Sequence, residues 1–326
     1  MSKRFLWLFS ASLLLVVCFV FSLSWGEIRL FPWQWAGMEK DGMEMAILRY
    51  IRLPRSLCAL CIGGMLAMSG CLLQGLFRNP LVEPYTLGIS GGASLGVAVA
   101  VVCGFPLAGV WGTGGFAFAG AFAVSVLLLL YGRRGNGINN LLLTGIMTGI
   151  LCSSGTTLLM SLSSPQNMNR IIYWTMGSIE NTDMGQSLFL CVFALCGLTL
   201  GILLSQRLNL LSGGSRNARL LGVNTAVLVP VLLALTSLLT AVSTAQAGII
   251  GFVGLVVPHI LRRLSSNDYR LLVPLSFIGG GIFLLVCDLI ARNIIAPSQL
   301  PIGVVSGILG GSVFIYLLIK KETRNE

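Results

Sequence analysis

The run PYTLGISGGASLGVAVAVVCGFPLAGVWGTGGFAFAGAFAVSVLLLLYG, residues 84–132, contains no Lys, Arg, Asp, Glu or His over 49 positions. A helix needs about 20 apolar residues to cross the hydrocarbon core of a bilayer, so this run is long enough for two crossings. A water-soluble helix keeps one polar face, which a charge-free run of this length does not supply. The chain is therefore predicted to lie in a membrane.

The composition agrees with that prediction. The mean hydropathy is +0.89, hydrophobic residues make up 55% of the chain and charged residues only 10%. The net charge of +10 could suggest a nucleic-acid partner. However, the basic residues are scattered between apolar runs and form no continuous stripe, so we expect no binding to nucleic acid.

The apolar runs predict an all-α polytopic membrane protein in which residues 1–326 form a single transmembrane domain. The first run follows Lys3 and Arg4, as in a signal peptide, but its 21 uncharged residues exceed the ~7–15 of a signal sequence. It is therefore predicted to be retained as a membrane span. The ten predicted spans are 5–25, 56–77, 87–104, 114–132, 139–163, 185–205, 225–245, 249–262, 271–292 and 302–319.

The distribution of basic residues predicts the orientation of these spans. An even number of spans places both termini on one side of the membrane. If both termini are cytoplasmic, 14 of the 21 Lys and Arg residues fall in cytoplasmic segments and seven fall in outer segments. Because inner loops of membrane proteins are enriched in Lys and Arg, both termini are predicted to be cytoplasmic.

The sequence contains no recognisable motif for nucleotide binding, metal binding or catalysis. A nucleotide-binding P-loop requires Gly-Lys-Ser/Thr, and none of the four lysines follows a glycine. Cys58 and Cys61 have the spacing of a metal-binding pair, but no second pair or nearby His completes a site, so no metal site is predicted. We also find no paired carboxylate, Ser/His or HExxH arrangement, and hence predict no catalytic residue. The protein is expected not to be an enzyme.

One ionisable pair lies within a predicted span. Asp288 precedes Arg292 by four residues, which favours a local ion pair on one helix face. The lone His259 follows Pro258 near the inner end of a short span, where a helix break is the favoured interpretation. With no evident coupling-ion site, transport would rely on facilitated diffusion or on power from a partner subunit.

Several motifs occur in the order known from one family of transport proteins, and together they cover residues 50–311. On these motifs the chain resembles the FecCD-type permeases, which are the membrane subunits of ABC importers for ferric siderophores, haem and cobalamin. The motifs are Arg52-Leu-Pro-Arg55, Ser69-Gly70, Gln74-Gly75, Arg78-Asn-Pro-Leu81, Pro84, Leu87-Gly88, Gly248-Ile-Ile-Gly-Phe-Val-Gly-Leu-Val-Val-Pro258-His259, Asp288, Arg292 and Leu300-Pro-Ile-Gly303.

The resemblance implies the architecture of a type II ABC importer permease in the bacterial cytoplasmic (inner) membrane. The expected partners are a second permease subunit, often in a homodimer, two cytoplasmic ABC ATPases, and a periplasmic or lipid-anchored substrate-binding protein. ATP and Mg would be bound by the ATPases, so no cofactor is expected in this chain. Transport would proceed by alternating access.

The resemblance also implies three groups of functional residues. Arg52, Arg55 and Arg292 correspond to outward-facing arginines that dock the binding protein through its carboxylates. The cytoplasmic loop 206–224 corresponds to the segment that couples to the ATPases, although Ser212-Gly-Gly-Ser215 replaces the Leu-Gly-Glu of many relatives. The coupling residues would be Arg216, Ala218, Arg219, Leu220, Leu221 and Gly222. The cytoplasmic gate would contain Asn79, Leu81, Asn139 and Asn140.

The sequence leaves the cargo open, because ferric siderophore, haem and cobalamin permeases share these motifs. Family frequency alone favours a ferric chelate, with cobalamin next. The rival hypothesis is an ion-coupled secondary transporter that works without an ATPase.

Overall fold

The computed structural model describes residues 3–26, 28–37, 42–105, 109–133, 138–180, 182–295 and 298–322. Within these ranges the secondary structure is helical throughout, with no strand. Two 3₁₀ turns occur at Pro32–Gly37 and Pro84–Leu87, and a π-helical segment at Ile47–Arg52 joins α2 to α3. The α-helices are α1 (Lys3–Ser24), α2 (Met43–Ala46), α3 (Leu53–Phe77), α4 (Ile89–Val102), α5 (Gly109–Arg133), α6 (Ile138–Ser161), α7 (Pro165–Thr175), α8 (Met184–Ser212), α9 (Ser215–Leu220), α10 (Thr225–Ala247), α11 (Val253–Leu264), α12 (Tyr269–Asn293) and α13 (Ile302–Glu322).

The predicted all-α membrane fold is confirmed. Each of the ten predicted spans coincides with one helix, and eight helices in the described part of the chain are long and apolar enough to cross a bilayer. The remaining two, α4 and α11, have only 14 and 12 residues, and α4 is apolar throughout whereas α11 ends in Arg262 and Arg263. Two further short helices are α7, which sequence analysis missed, and α9 in the predicted coupling loop.

Helix α3 forms the centre of the bundle and packs against α8, α10, α11 and α12. Glycines allow its backbone to approach its neighbours closely, as small residues do in membrane helices. A methyl group on Gly63 would overlap the carbonyl oxygen of Gly280 in α12, and one on Gly70 would overlap Gly254 in α11. These contacts fix the axial positions of three helices relative to one another.

Both ends of the described chain lie at the same end of the bundle. Arg4 in α1 donates a hydrogen bond to Asp268, which precedes α12, over 2.8 Å. Arg263 at the end of α11 donates to the carbonyl oxygen of Leu317 in α13 over 3.4 Å. The predominance of basic residues in the loops of this face identifies it as the cytoplasmic face. The opposite face is the outer face.

Two half-length helices begin in the middle of the bundle. At about 1.5 Å per residue, α4 and α11 extend roughly 21 and 18 Å, less than the ~30 Å hydrocarbon core. A methyl group on Gly254, at the start of α11, would lie 2.9 Å from the carbonyl oxygen of Leu66 in mid-α3 and 2.6 Å from Cδ of Pro84. The 3₁₀ turn before α4 and the start of α11 therefore meet at mid-depth. Such irregular backbone is tolerated there because protein surrounds it.

Candidate functional site

A cavity of about 740 Å³ opens on one side of the subunit beside the start of α4. None of its lining residues is charged, and six of the eleven carry a hydroxyl group. The wall can therefore offer many weak hydrogen bonds to a large ligand without a strong electrostatic attachment. The lining residues are Tyr85, Thr86, Gly88, Ser90, Gly91, Ile146, Gly149, Ile150, Ser153, Ser154 and Thr157.

Glycines shape this wall by bringing α4 against α6. A methyl group on Gly91 would lie 2.8 Å from the carbonyl oxygen of Gly149, and one on Gly88 would lie 2.6 Å from that of Gly145. Gly88 also has a φ of +76°, which favours glycine and lets the chain turn from the 3₁₀ segment into α4. Larger residues at these positions would separate the two helices that form the wall.

Hydrogen bonds join the cavity wall to the broken segment before α11. The backbone N–H of Ile250 donates to the hydroxyl oxygen of Tyr85 over 3.1 Å. The backbone N–H of Phe252 donates to the carboxylate of Glu83. Gln74 in α3 donates to the carbonyl oxygen of Gly254 over 3.2 Å. The two discontinuous segments are thus held together by polar contacts in the bundle interior.

Sequence analysis missed Glu83 as a membrane-embedded carboxylate and considered Asp288 alone. Glu83 directly precedes the charge-free run that starts at Pro84 and falls between two predicted spans. The structure places it deeper, because the chain from Asn79 to Pro84 climbs into the bundle before α4 begins. The signal that could have revealed it is an acid enclosed by two prolines, which exclude a regular helix end.

Two of the four predicted gate residues, Asn79 and Leu81, lie in the turn that follows α3, and the other two, Asn139 and Asn140, lie in the first turn of α6. The side chain of Asn79 accepts a hydrogen bond from the backbone N–H of Leu81 over 3.0 Å and so stabilises the turn. Leu81 is 52% exposed, and Asn139 and Asn140 are exposed at the start of α6. All four are thus accessible from the cytoplasmic side, and their gating role stays a prediction.

The predicted coupling loop forms a short helix with an apolar tip. In α9, Ala218 is fully buried and anchors the helix, whereas Leu220 and Leu221 are 80% and 64% exposed. The helix ends at Gly222, whose φ is +83°, and the N–H of Val223 donates to the carbonyl of Ala218 over 2.9 Å. This is a Schellman motif, which fixes the direction of the chain after the helix. The two leucines are therefore held outward.

The other predicted coupling residues lie on the same loop. Arg216 and Arg219 are exposed on α9, and Arg219 donates to the carbonyl oxygen of Ser215. The loop thus presents two cations and two leucines on the cytoplasmic face. Its coupling role stays a prediction.

A polar cluster beside this loop fixes the cytoplasmic ends of three helices. Asp268, the N-cap of α12, accepts hydrogen bonds from Asn209 in α8 over 2.7 Å and from Arg4 in α1 over 2.8 Å. Burial by itself would raise the pKa of Asp268, but hydrogen bonds from Asn209 and Arg270 outweigh it, so the pKa is lowered. The carboxylate is therefore ionised in the folded protein at neutral pH.

The three arginines predicted to dock a binding protein gather at the outer face, together with Asp288. Nε of Arg55 lies 2.8 Å from Oδ1 of Asp288, and Nε of Arg292 lies 3.0 Å from Oδ2. Arg52 donates instead to carbonyl oxygens at the end of α1, including that of Leu23 over 2.8 Å. Arg292 also donates to the hydroxyl of Ser22 over 2.9 Å. The cluster ties α1, α3 and α12 together.

The predicted Asp288–Arg292 pair is confirmed, and the three predicted docking arginines lie at the outer face, where Arg52 and Arg55 are buried. Arg52 and Arg55 are only 5% and 4% exposed, because their guanidinium groups point into the bundle. Sequence analysis also missed Arg55 as a second partner of Asp288, since 233 positions separate the two. Docking through these residues stays a prediction and would require their present bonds to open.

The described residues include no group of three or more His, Cys, Asp or Glu side chains that could hold a metal ion. Cys58 and Cys61 are buried in α3, and the sulfur of Cys61 lies 3.4 Å from that of Cys191 in α8. These thiols occupy helix–helix contacts.

A helical membrane bundle with a large uncharged cavity and a short exposed helix at its cytoplasmic face is typical of a transport permease. Comparisons with known proteins make this assignment specific. The FecCD transport family model matches residues 14–320. The vitamin B12 import system permease protein BtuC of Klebsiella pneumoniae is 40% identical over 318 residues, covering 98% of this chain and 95% of that protein. BtuC of Salmonella typhimurium is also 40% identical, over 96% of this chain and 95% of its own.

The chain belongs to the FecCD transport family. Among solved structures, an inward-facing metal-chelate type ABC transporter is 33% identical with a TM-score of 0.87, covering 96% of this chain and 98% of that one. PsaBC from Streptococcus pneumoniae, solved with a Fab, is 17% identical with a TM-score of 0.58 over 83% and 92% of the two chains, and this likeness concerns the fold alone. The protein is therefore a permease subunit of an ABC importer, and its ATPase is a separate subunit.

Proposed function

We propose that this permease carries a corrinoid such as cobalamin across the bacterial cytoplasmic membrane. The observation that supports this cargo most directly is the 40% identity, over 98% of the chain, to a permease named for vitamin B12 import. This evidence outweighs the family frequency that favoured a ferric chelate. A ferric siderophore or haem remains the second candidate, because the solved relative of metal-chelate type covers 96% of the chain.

The chemistry of the cavity is compatible with a corrinoid. A corrinoid is large and carries many amide groups at its edge, and the wall offers six hydroxyl groups and no charge. Each such hydrogen bond contributes only about 0.5–1.5 kcal/mol net, so the cargo would be held weakly and could leave again. A transport path needs this property because tight binding slows release.

The cavity is open on one side of the subunit, and we infer that a second permease subunit completes it. Two copies related by a two-fold axis would enclose a path about twice as wide, which suits a bulky cargo. The exposed Leu220 and Leu221 would insert into grooves of the two ATPases on the cytoplasmic face. A binding protein would deliver cargo at the outer face.

The rival secondary transporter would need an ionisable group that is free to bind and release the coupling ion. Asp288 is fully buried between two arginines, and Glu83 accepts a backbone hydrogen bond. Both carboxylates therefore have structural partners, which favours an external source of energy.

Reconstitution tests the proposed function. The permease, its ATPase and its binding protein are placed in liposomes, and uptake of cobalamin, a ferric siderophore and haem is measured with and without ATP. We expect ATP-dependent uptake of cobalamin. Uptake by the permease alone, driven by an ion gradient, would contradict the ABC mechanism, and ATP-driven uptake of an iron chelate only would contradict the corrinoid assignment.

A matched pair of variants tests the cavity. Ser154→Phe adds a bulky side chain to the cavity wall on α6, whereas Leu151→Phe adds bulk to the same helix at a 73% exposed position outside the lining. The first should lower the rate of cobalamin uptake and the second should leave it unchanged. Equal effects of the two variants would show that the cargo does not pass along this wall.

A further inference from the structure

Arg78 connects the end of α3 to the coupling helix α9. One terminal nitrogen of its guanidinium group donates to the carbonyl oxygen of Leu211 and to the hydroxyl of Ser215, each over 2.9 Å. Leu211 lies in the last turn of α8, and Ser215 is the first residue of α9. A single side chain thus spans the junction from which the coupling helix projects.

The backbone of Arg78 is unusual for a residue that is not glycine. Its φ is +52°, in the left-handed region that β-carbons disfavour. Such a conformation persists where the surroundings determine it, and here two charge-assisted hydrogen bonds hold the side chain. The position also suits a cation, because the carbonyl groups at the C-terminal end of α8 carry partial negative charge.

The residues that follow Arg78 lead directly to the cavity. Pro80 and Pro84 restrict the backbone of this ascending segment, which we define as residues 78–88. Its middle is bound to the start of α11 through Glu83, and its upper part through Tyr85, whose hydroxyl accepts from Ile250 over 3.1 Å. Tyr85, Thr86 and Gly88 then form part of the cavity wall. The segment is therefore a short, stiff connection from α9 to the cavity.

We propose that Arg78 is a positioning residue that transmits displacement of α9 to the cavity wall through the ascending segment. This inference rests on the proposed function, because it requires an ATPase that moves α9. When α9 shifts, the two hydrogen bonds draw the end of α3 and the start of the ascending segment with it. The cavity wall then changes position together with the coupling helix.

A purely structural role makes a different prediction. If Arg78 only caps α8, its loss should lower the stability of the permease and reduce uptake and ATP hydrolysis together. If it transmits motion, its loss should leave the ATPase bound and hydrolysing while cargo transport falls. The number of ATP molecules hydrolysed per cargo molecule therefore separates the two roles.

The experiment uses the complete transporter in proteoliposomes and measures ATP hydrolysis and cobalamin uptake in the same vesicles. The variants are Arg78→Gln, which removes the cation, Arg78→Lys, which keeps one, and Ser215→Ala, which removes one of the two hydrogen bonds. Arg207→Gln is the matched control, since Arg207 is an exposed arginine at the cytoplasmic end of α8. Pull-down of the ATPase verifies assembly for each variant.

For Arg78→Gln we expect at least about tenfold less uptake per ATP, because the two charge-assisted hydrogen bonds that would carry the displacement are lost. Ser215→Ala and Arg78→Lys should give smaller losses in the same direction, and Arg207→Gln should match the wild type. Parallel loss of uptake and hydrolysis, or no change in their ratio, would overturn the proposal. If Arg78→Gln does not fold, the uptake per ATP of Ser215→Ala and Arg78→Lys tests the proposal, since both variants retain part of the contact. Absence of ATP-driven cobalamin uptake in the wild type would instead contradict the proposed function.

Discussion

Asp288 is expected to stabilise the outer end of the bundle by neutralising buried arginines. It is fully buried, and the guanidinium groups of Arg55 and Arg292, which are 5% and 9% exposed in their side chains, lie within 3.0 Å of it. Asp288→Asn keeps the shape of the side chain but removes the negative charge. Two positive charges then remain close together in an apolar interior with no carboxylate between them.

The size of the effect follows from the burial of all three groups. Breaking a buried ion pair by removing one partner costs about 3–5 kcal/mol. Asparagine still offers an acceptor to Nε of Arg55, so a value near the lower limit, about 3 kcal/mol, is expected. The unfolding entropy of about 2.1 cal/mol/K per residue gives a shift of about 1.5 °C per kcal/mol for a chain of 326 residues, so the transition should fall by roughly 4–5 °C.

The same argument from charge predicts which variants lose most stability. Arg292→Met removes one of the two arginines and leaves the Arg55–Asp288 pair at 2.8 Å intact. It should therefore cost less than Asp288→Asn, although both variants break the same Asp288–Arg292 contact. Glu44→Gln, at an exposed position in α2, is the control and should not change the transition.

The assay is the thermal loss of the monodisperse permease in detergent, followed by gel filtration after heating. Because such unfolding is often irreversible, all variants are heated at one rate and compared as a set. If Arg292→Met lowers the transition as much as Asp288→Asn, the reasoning from charge fails, and the cluster acts through packing instead.

Three further predictions concern other parts of the bundle. Gly280→Ala places a methyl group against the backbone of α3 and should cost at least about 1–3 kcal/mol, whereas Gly115→Ala, with open space around it, should be neutral or stabilising, as thermal transitions would reveal. Replacing Leu220 and Leu221 together by Ser should weaken co-purification of the ATPase at least about tenfold, because each buried leucine contributes about 1.5–3 kcal/mol; unchanged co-purification would exclude this contact. Asp268 has a lowered pKa, so the folded state binds its proton less readily than the unfolded state does. Its stabilising contribution should be complete above about pH 4 and be lost as the pH falls through the folded pKa. Asp268→Asn should remove this part of the acid sensitivity in thermal transitions measured between pH 6 and pH 3.

The helices could be predicted because the signal is local. A charge-free run of about 20 residues in a membrane protein almost always forms a membrane-spanning helix, so the sequence predicts each of the eight long spans as well as the two shorter helices α4 and α11. Helix α7 was missed because its 11 residues, PQNMNRIIYWT, mix polar and apolar side chains at the outer surface, where no long apolar run marks a helix. The π-helical segment Ile47–Arg52 was missed because it extends a span beyond the length that a bilayer requires.

The candidate site was less accessible to sequence reasoning because its contacts join distant positions. The Asp288–Arg292 pair was found, since four residues on one helix determine its geometry. The Arg55 contact with Asp288 and the Glu83 contact with Phe252 arise only from packing. Depth in the bilayer also depends on the packing of distant segments, and for this reason the sequence did not reveal Glu83 as a membrane-embedded carboxylate. The contacts of Arg78 across the α8–α9 junction also join residues that are distant in sequence.

Side-chain hydrogen bonds hold α1 at both ends, and the distance between them determines which bilayer thickness suits the helix. Arg4 is bonded to Asp268 at one membrane surface, and Ser22 to Arg292 at the other. The 18 residue steps from Arg4 to Ser22 measure roughly 27 Å along the helix, close to the ~30 Å thickness of a hydrocarbon core. Because both ends are fixed, α1 has little freedom to tilt or slide when acyl chains lengthen. Transport should therefore be fastest in bilayers of one thickness, and insertion of a single residue into α1 would rotate one anchor about 100° away from its partner.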